Sequence, residues 1–130
     1  HVCRGNYAST WFGQGGYDKI ADELFGKEDV NAYYLEFDTE RAGTFESLAK
    51  VSGEKKVVLG LITSKSPTLE EKEIVINRIK EASKYVPLDR LYLSPQCGFA
   101  STEEGNRLTE EEQWAKLRFI KEIADEVWGK

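Results

Sequence analysis

The sequence predicts an α/β chain of parallel strands, about half of an eight-unit TIM (β/α)8 barrel. Three observations predict it. Strand-like and helix-like stretches alternate strictly along the chain, which is the pattern of parallel βα units. Val57 to Thr63 (Val-Val-Leu-Gly-Leu-Ile-Thr) is continuously apolar, as a strand buried on both faces must be. No Gly-x-Gly-x-x-Gly turn follows any strand, which weighs against a dinucleotide-binding sheet. A small open α/β sheet is the runner-up architecture.

Each element has its own justification. His1 to Cys3 reads as the tail of a strand whose body lies upstream, and Arg4 to Gly16 as a loop rich in Gly, Ser, Thr and Asn. Tyr17, Ile20, Ala21, Leu24 and Phe25 recur at helical spacing, with Gly26 as the stop. Asn31 to Asp38 is a strand by length and aromatic content, and a short helix follows from about Thr44 to Lys50. After the apolar strand, Ser64-Lys65-Ser66-Pro67 turns the chain. Thr68 and Glu71 form a capping-box pattern, opening a helix with Val75, Ile79, Ala82 and Val86 on one face and Pro87 at its end. Leu91 to Ser94 is the last short strand. A second capping box, Thr109 with Glu112, opens the closing helix, whose expected buried stripe is Leu117, Ile120, Ala124 and Val127.

Composition bounds the function. With 130 residues the chain is one domain or a piece of one, and 40% apolar with 12% aromatic residues is a globular composition. A net charge of −5 argues against nucleic acid or an anionic membrane as the main partner. No apolar run approaches the ~20 residues of a membrane span, and no signal-peptide pattern opens the chain. Two cysteines make no disulfide framework, so a cytoplasmic protein is expected. The opening His-Val-Cys lacks an initiator Met and starts inside what reads as a site; the expectation is a chain that continues upstream.

His1, Cys3, Glu36 and Cys97 are the candidate metal ligands, because imidazole, thiolate and carboxylate are the side chains that bind zinc. Their wide spacing is not that of a zinc finger and suits ligands gathered from separate strands. Cys3, Glu36, Lys65 and Cys97 all fall at, or just after, the C-terminal ends of successive strands, the face of a barrel that carries chemistry. Plainer readings stand beside each. Cys97 can be a buried structural thiol, Cys3 and Cys97 can form a disulfide, and His1 can be a surface or tag-derived residue. Glu36 can be an ion-pair partner of Arg41, Asp38 is a rival ligand, and Lys65 can face solvent. Trp11, Phe12, Tyr33 and Tyr34 read as packing rather than a ligand cage.

The stretches His1-Val2-Cys3-Arg4-Gly5-Asn6, Leu35-Glu36-Phe37-Asp38, Thr63-Ser64-Lys65-Ser66-Pro67 and Ser94-Pro95-Gln96-Cys97-Gly98 carry a resemblance to a known family. The chain resembles the cobalamin-independent methionine synthases and, in its Arg4-Gly5-Asn6 loop, their shorter single-barrel relatives. The resemblance spans essentially all 130 residues and corresponds to the C-terminal half of the catalytic barrel. It implies that residues 1–130 are one part of a single barrel whose N-terminal half is absent from this sequence. It implies zinc held by His1, Cys3, Glu36 and Cys97, and methyl transfer from a methylated folate to the thiol of homocysteine, giving methionine. Homocysteine and methylated folate are then the expected partners, and the missing barrel half, or another chain, is needed for a closed sheet; residues 1–130 alone are expected to be inactive.

The sequence departs from the family at one catalytic position. Methionine synthases carry Ile-His-Ser-Pro where this chain has Ser64-Lys65-Ser66-Pro67, so Lys65 stands where they have a catalytic histidine. Some zinc relatives of the family move alkyl groups to other thiols such as coenzyme M, which is the alternative activity. A barrel remnant that keeps the metal site, or only the fold, without catalysis is the alternative of a different class.

Overall fold

The computed structural model describes residues 1–129. Its centre is a three-stranded parallel sheet in the order β1 (Ala32–Glu36), β2 (Lys56–Ile62), β3 (Leu91–Pro95). The parallel α/β fold class read from the sequence is the one observed. A single parallel bridge from Val2 to Leu35 extends the sheet on the β1 side. Val2 donates to the Tyr34 carbonyl at 2.9 Å and accepts from the Glu36 amide at 3.2 Å.

Register decides what each face of the sheet carries. Tyr33, Val57 and Leu91 share one row, and Leu35, Leu59 and Leu93 another. These rows pack under the helices α2 (Lys72–Ala82) and α3 (Glu110–Trp128), where Val75, Ile79, Ala82 and Ile123 complete the core. The intervening rows place Tyr34, Val58 and Tyr92, then Glu36, Gly60 and Ser94, on the opposite face, since successive side chains alternate. Gly60 is required at that level. A Cβ there would stand 2.7 Å from the Leu35 carbonyl oxygen and 2.8 Å from Gln96 Cα. Just beyond it the β2–β3 register slips, from Gly60 opposite Ser94 to Ile62 opposite Pro95, an irregularity of the β-bulge kind.

Several elements differ from the sequence pattern, each for a tertiary reason. The helix expected over Tyr17 to Phe25 is a single turn, α1 (Ala21–Leu24). Tyr17 and Phe25 instead join Phe37, Tyr33 and Phe45 in an aromatic cluster with ring centroids 4.8–5.7 Å apart. The expected short helix over Thr44 to Lys50 is a 3-10 turn, Glu46–Lys50.

The Thr68–Glu71 capping box does not form, and α2 begins at Lys72 without a side-chain cap. The segment before α2 is tied to α3 instead. Lys116, fully buried on α3, donates to the Thr68 carbonyl at 2.6 Å and to both Glu70 oxygens at 3.1 and 3.0 Å, while Glu70 also accepts from the Thr63 amide at 2.8 Å. The buried line of α3 is Lys116 and Ile123, with Phe119, Ile120 and Val127 packed against the core. Leu117 and Ala124, two members of the expected stripe, lie half-buried outside that core. The Thr109–Glu112 capping box is present in full, as the sequence implies.

Candidate metal centre

The C-terminal ends of the strands converge on the segments that carry the candidate ligands. Cys3 follows the Val2 bridge, Glu36 ends β1, Lys65 lies three residues past β2, and Cys97 lies two past β3. A buried polar network holds these loops together. Asn6 donates to Ser64 Oγ (3.2 Å), the Gly98 carbonyl (3.1 Å) and Ser101 Oγ (2.8 Å). Gln96 Oε1 accepts from the Ser64 amide and hydroxyl at 2.6 and 3.0 Å, and Asn106 donates to the Ser64 carbonyl at 2.9 Å. Asn6, Ser64 and Gln96 lie inside the family-like stretches, but the sequence alone assigns them no role. Their signal was polar residues beside each ligand, which only the fold turns into one network.

Three of the four candidate ligands come together. One donor atom each from His1, Cys3 and Cys97 lies within 4.8 Å of the others, and Cys97 Sγ is 3.4 Å from His1 Nε2. Both cysteines are free thiols, half-buried, and His1 is exposed. Burial and then the adjacent Cys3 thiol push the Cys97 thiol up to about 11, against the opposing pull of Lys65. The three residues border a cavity of about 480 Å³ whose walls include Tyr34, Asn6 and Gln96.

The donor set fits zinc. One nitrogen and two sulfurs are zinc donors, and donors on one tetrahedral zinc stand roughly 3.3–3.8 Å apart, given bonds of ~2.0–2.3 Å. The His1–Cys97 separation falls in that range.

Glu36 is close to this group but occupied. Its fully buried carboxylate accepts two hydrogen bonds from Arg41 on Oε1, both 2.7 Å, and one from the Arg4 amide on Oε2 at 3.0 Å. The Glu36–Arg41 ion pair weighed from the sequence is thus present. Asp38, whose side chain is fully buried, takes Lys65 Nζ at 3.4 Å and lies 3.8 Å from Arg41. Lys65 is therefore not a solvent-facing lysine: its side chain is 9% exposed. With Trp11, Gln14, Asp38 and Arg41 it borders a second cavity, of about 640 Å³.

Tyr17 braces the site from behind. Its hydroxyl lies 3.0 Å from the Val2 carbonyl and 3.1 Å from the Glu36 carbonyl, joining the backbones next to two candidate ligands. Arg4 stacks over the same ring at 3.9 Å and donates to the Gly15 carbonyl at 2.9 Å, fastening the long first loop. Burial raises the Tyr17 hydroxyl from 10.0 to about 12.

Comparison with known proteins places the chain. Residues 17–126 match the family model for the catalytic domain of the cobalamin-independent synthase. The chain is 56% identical over 129 residues to the uncharacterized protein YxjG of Bacillus subtilis, which covers 98% of the chain and 34% of that protein. Among solved structures it resembles a protein assigned as a vitamin-B12-independent methionine synthase from Listeria monocytogenes. That likeness has a TM-score of 0.71 and 42% identity, and covers 100% of the chain and 34% of the relative. A B12-independent methionine synthase from Shewanella sp. W3-18-1, solved in complex with selenomethionine, gives a TM-score of 0.71 at 28% identity, over 86% of the chain and 30% of the relative. The chain thus spans about a third of the length of the relatives it matches. By sequence and by fold it belongs to the family of cobalamin-independent synthase catalytic domains.

Proposed function

We propose that this chain supplies the zinc-bearing rim of a barrel enzyme that moves a methyl group from a methylated folate to the thiol of homocysteine, giving methionine. The observation that carries the reading is the meeting of His1, Cys3 and Cys97 within 4.8 Å at the strand ends. Family membership supports the reaction class, and the relatives' greater length supports a barrel completed by further chain. A cytoplasmic location goes with this reading; no helix among the described residues is long and apolar enough to cross a membrane.

His1, Cys3 and Cys97 would hold the zinc, with Glu36 as the exchangeable fourth donor. Bound there, zinc would keep a substrate thiol as thiolate at neutral pH. The chain's own residues do the rest. The cavity beside Cys97 and Tyr34 receives the thiol substrate and shields the thiolate from water. Glu36, the hardest of the four donors, is the one to yield its place. Lys65, 3.4 Å from Asp38 and bordering the second cavity, stands where an anionic methyl donor can be held. It is also the group that can pass a proton to the donor nitrogen as the carbon–nitrogen bond breaks and the sulfur–carbon bond forms.

The test uses the protein at its natural length. X-ray absorption at the zinc edge should count two sulfurs without substrate and three with homocysteine. A count that stays at two with homocysteine, coenzyme M and every other thiol tried makes the site structural and ends the alkyl-transfer reading. A third sulfur with coenzyme M alone favours the alternative acceptor.

A further inference from the structure

Lys116 is a charged side chain in the core, outside the metal site, and its contacts run to the loop that carries Lys65. Residues 63–71 join β2 to α2 without helix or strand, and Thr63, Lys65 and Ser66 form part of the wall of the second cavity. One end of this loop is held by Glu70, which accepts from the Thr63 amide at 2.8 Å. The other end is held by Lys116, which donates to the Thr68 carbonyl at 2.6 Å and to the Glu70 oxygens at 3.1 and 3.0 Å. Glu70 thus closes the loop on itself, and Lys116 fastens the closure to α3. Within the loop, Thr63 Oγ1 accepts from the Lys65 amide at 3.1 Å, so the Lys65 backbone hangs from the residue that Glu70 holds.

Between these ties the Lys65 side chain, 9% exposed, meets Asp38 Oδ2 at 3.4 Å. Its neighbour Ser64 is held from the Cys97 side, where Gln96 accepts from the Ser64 amide at 2.6 Å and Asn106 donates to the Ser64 carbonyl at 2.9 Å. Lys65 therefore stands between two clamps, one beside the candidate ligands and one on α3. A buried ion pair adds little net stability over apolar packing of the same volume. What it supplies is placement, because its hydrogen bonds form only over a narrow range of distance and angle. We propose that Lys116 and Glu70 are a positioning pair for the Lys65 loop, holding Lys65 against Asp38 at the wall of the cavity that receives the methyl donor. The inference rests on the reading of Lys65 given above.

The experiment uses the protein at natural length, loaded with zinc, and compares wild type with Lys116→Met, Lys116→Met/Glu70→Gln and Lys116→Arg. The double variant leaves no unpaired charge in the core, so the test does not hang on the folding of one variant. Lysine accessibility is read by brief acetylation with acetic anhydride followed by mass spectrometry. Lys65 should be acetylated about tenfold faster in both Met variants, because a loop freed at one end opens locally. The exposed Lys27, paired with Glu23, should react at an unchanged rate. Lys116→Arg keeps the charge and should restore Lys65 protection partway. Turnover in the Met variants should fall about tenfold or more at unchanged zinc content, the scale of loss that a small misplacement of a reacting group produces. In a Lys65→Ala background the same substitutions should lower turnover no further, the non-additivity of residues that act as one unit. A merely structural pair would lower it equally in both backgrounds. Unchanged Lys65 labelling in either folded Met variant, or an equal further loss of turnover in the Lys65→Ala protein, overturns the proposal. Faster labelling together with a fully active Lys65→Ala protein sustains the placement and overturns the catalytic reading of Lys65 instead.

Discussion

Cys97 Sγ lies 3.4 Å from Nε2 of His1 although 96 residues separate them in the chain. The contact exists because the Val2 bridge and β3 end at the same rim of one parallel sheet, with β1 and β2 between them.

The metal is the first consequence. Replacing Cys97 by Ser should lower zinc content from about one per protein to well below that, as measured by metal analysis. Equal content in the two proteins would remove Cys97 from the site. The metal-free Cys97 thiol is held near 11, so binding must drive off its proton at neutral pH. Zinc affinity should therefore rise as pH increases from 6 to 8, with proton release seen by calorimetry in buffers of different ionisation heat.

Lys65 makes a kinetic prediction. If it holds the donor or delivers a proton, Lys65→Ala should lower turnover by about 10²-fold, the low end for general acid–base groups. Zinc content should not change. Full activity in that variant would reduce Lys65 to a partner of Asp38.

Tyr17 makes a prediction about alkaline stability. Its hydroxyl ionises at about 12 in the folded chain against 10.0 unfolded, chiefly because burial disfavours the phenolate. The neutral hydroxyl is favoured by folding. Its contribution is therefore complete below pH 10 and is lost as pH rises from 10 towards 12, a loss on the order of 2 kcal/mol. Tyr17→Phe should show a flatter fall in stability over that window, read by urea unfolding at successive pH values. Parallel pH curves for the two proteins would contradict it.

The buried Lys116–Glu70 pair predicts an asymmetry. Glu70→Ala leaves an ammonium in the core with only the Thr68 carbonyl, and should cost about 3–5 kcal/mol. Lys116→Met leaves a carboxylate that is 21% exposed and still accepts from the Thr63 amide, so the cost should be smaller. Chemical denaturation of both variants gives the comparison. Equal losses would mean that the buried charge is not what costs.

The sequence by itself determined the parallel sheet, its strand order and the strand ends on which the candidate ligands fall. These are encoded locally. An apolar run such as Val57 to Ile62 has few other places to go than a sheet covered on both faces, and Thr109 with Glu112 can cap a helix using only residues three apart. The residue types His1, Cys3 and Cys97 also announced their chemistry without a fold.

Only the tertiary structure decided the rest, because most of the deciding partners are remote in sequence. Thr68 and Glu71 carry a cap signal as good as the one at Thr109, yet Lys116, 48 residues on from Thr68, binds the Thr68 carbonyl. The apolar spacing of α3 does not show that Lys116 is buried on the same line as Ile123, where it meets Glu70 at 3.0 Å. Whether Lys65 faces water or Asp38, and whether Glu36 meets a metal or Arg41, depends on loop ends brought within about 3 Å. Hydrogen bonds and ion pairs act only at that range, and residue order alone does not specify it.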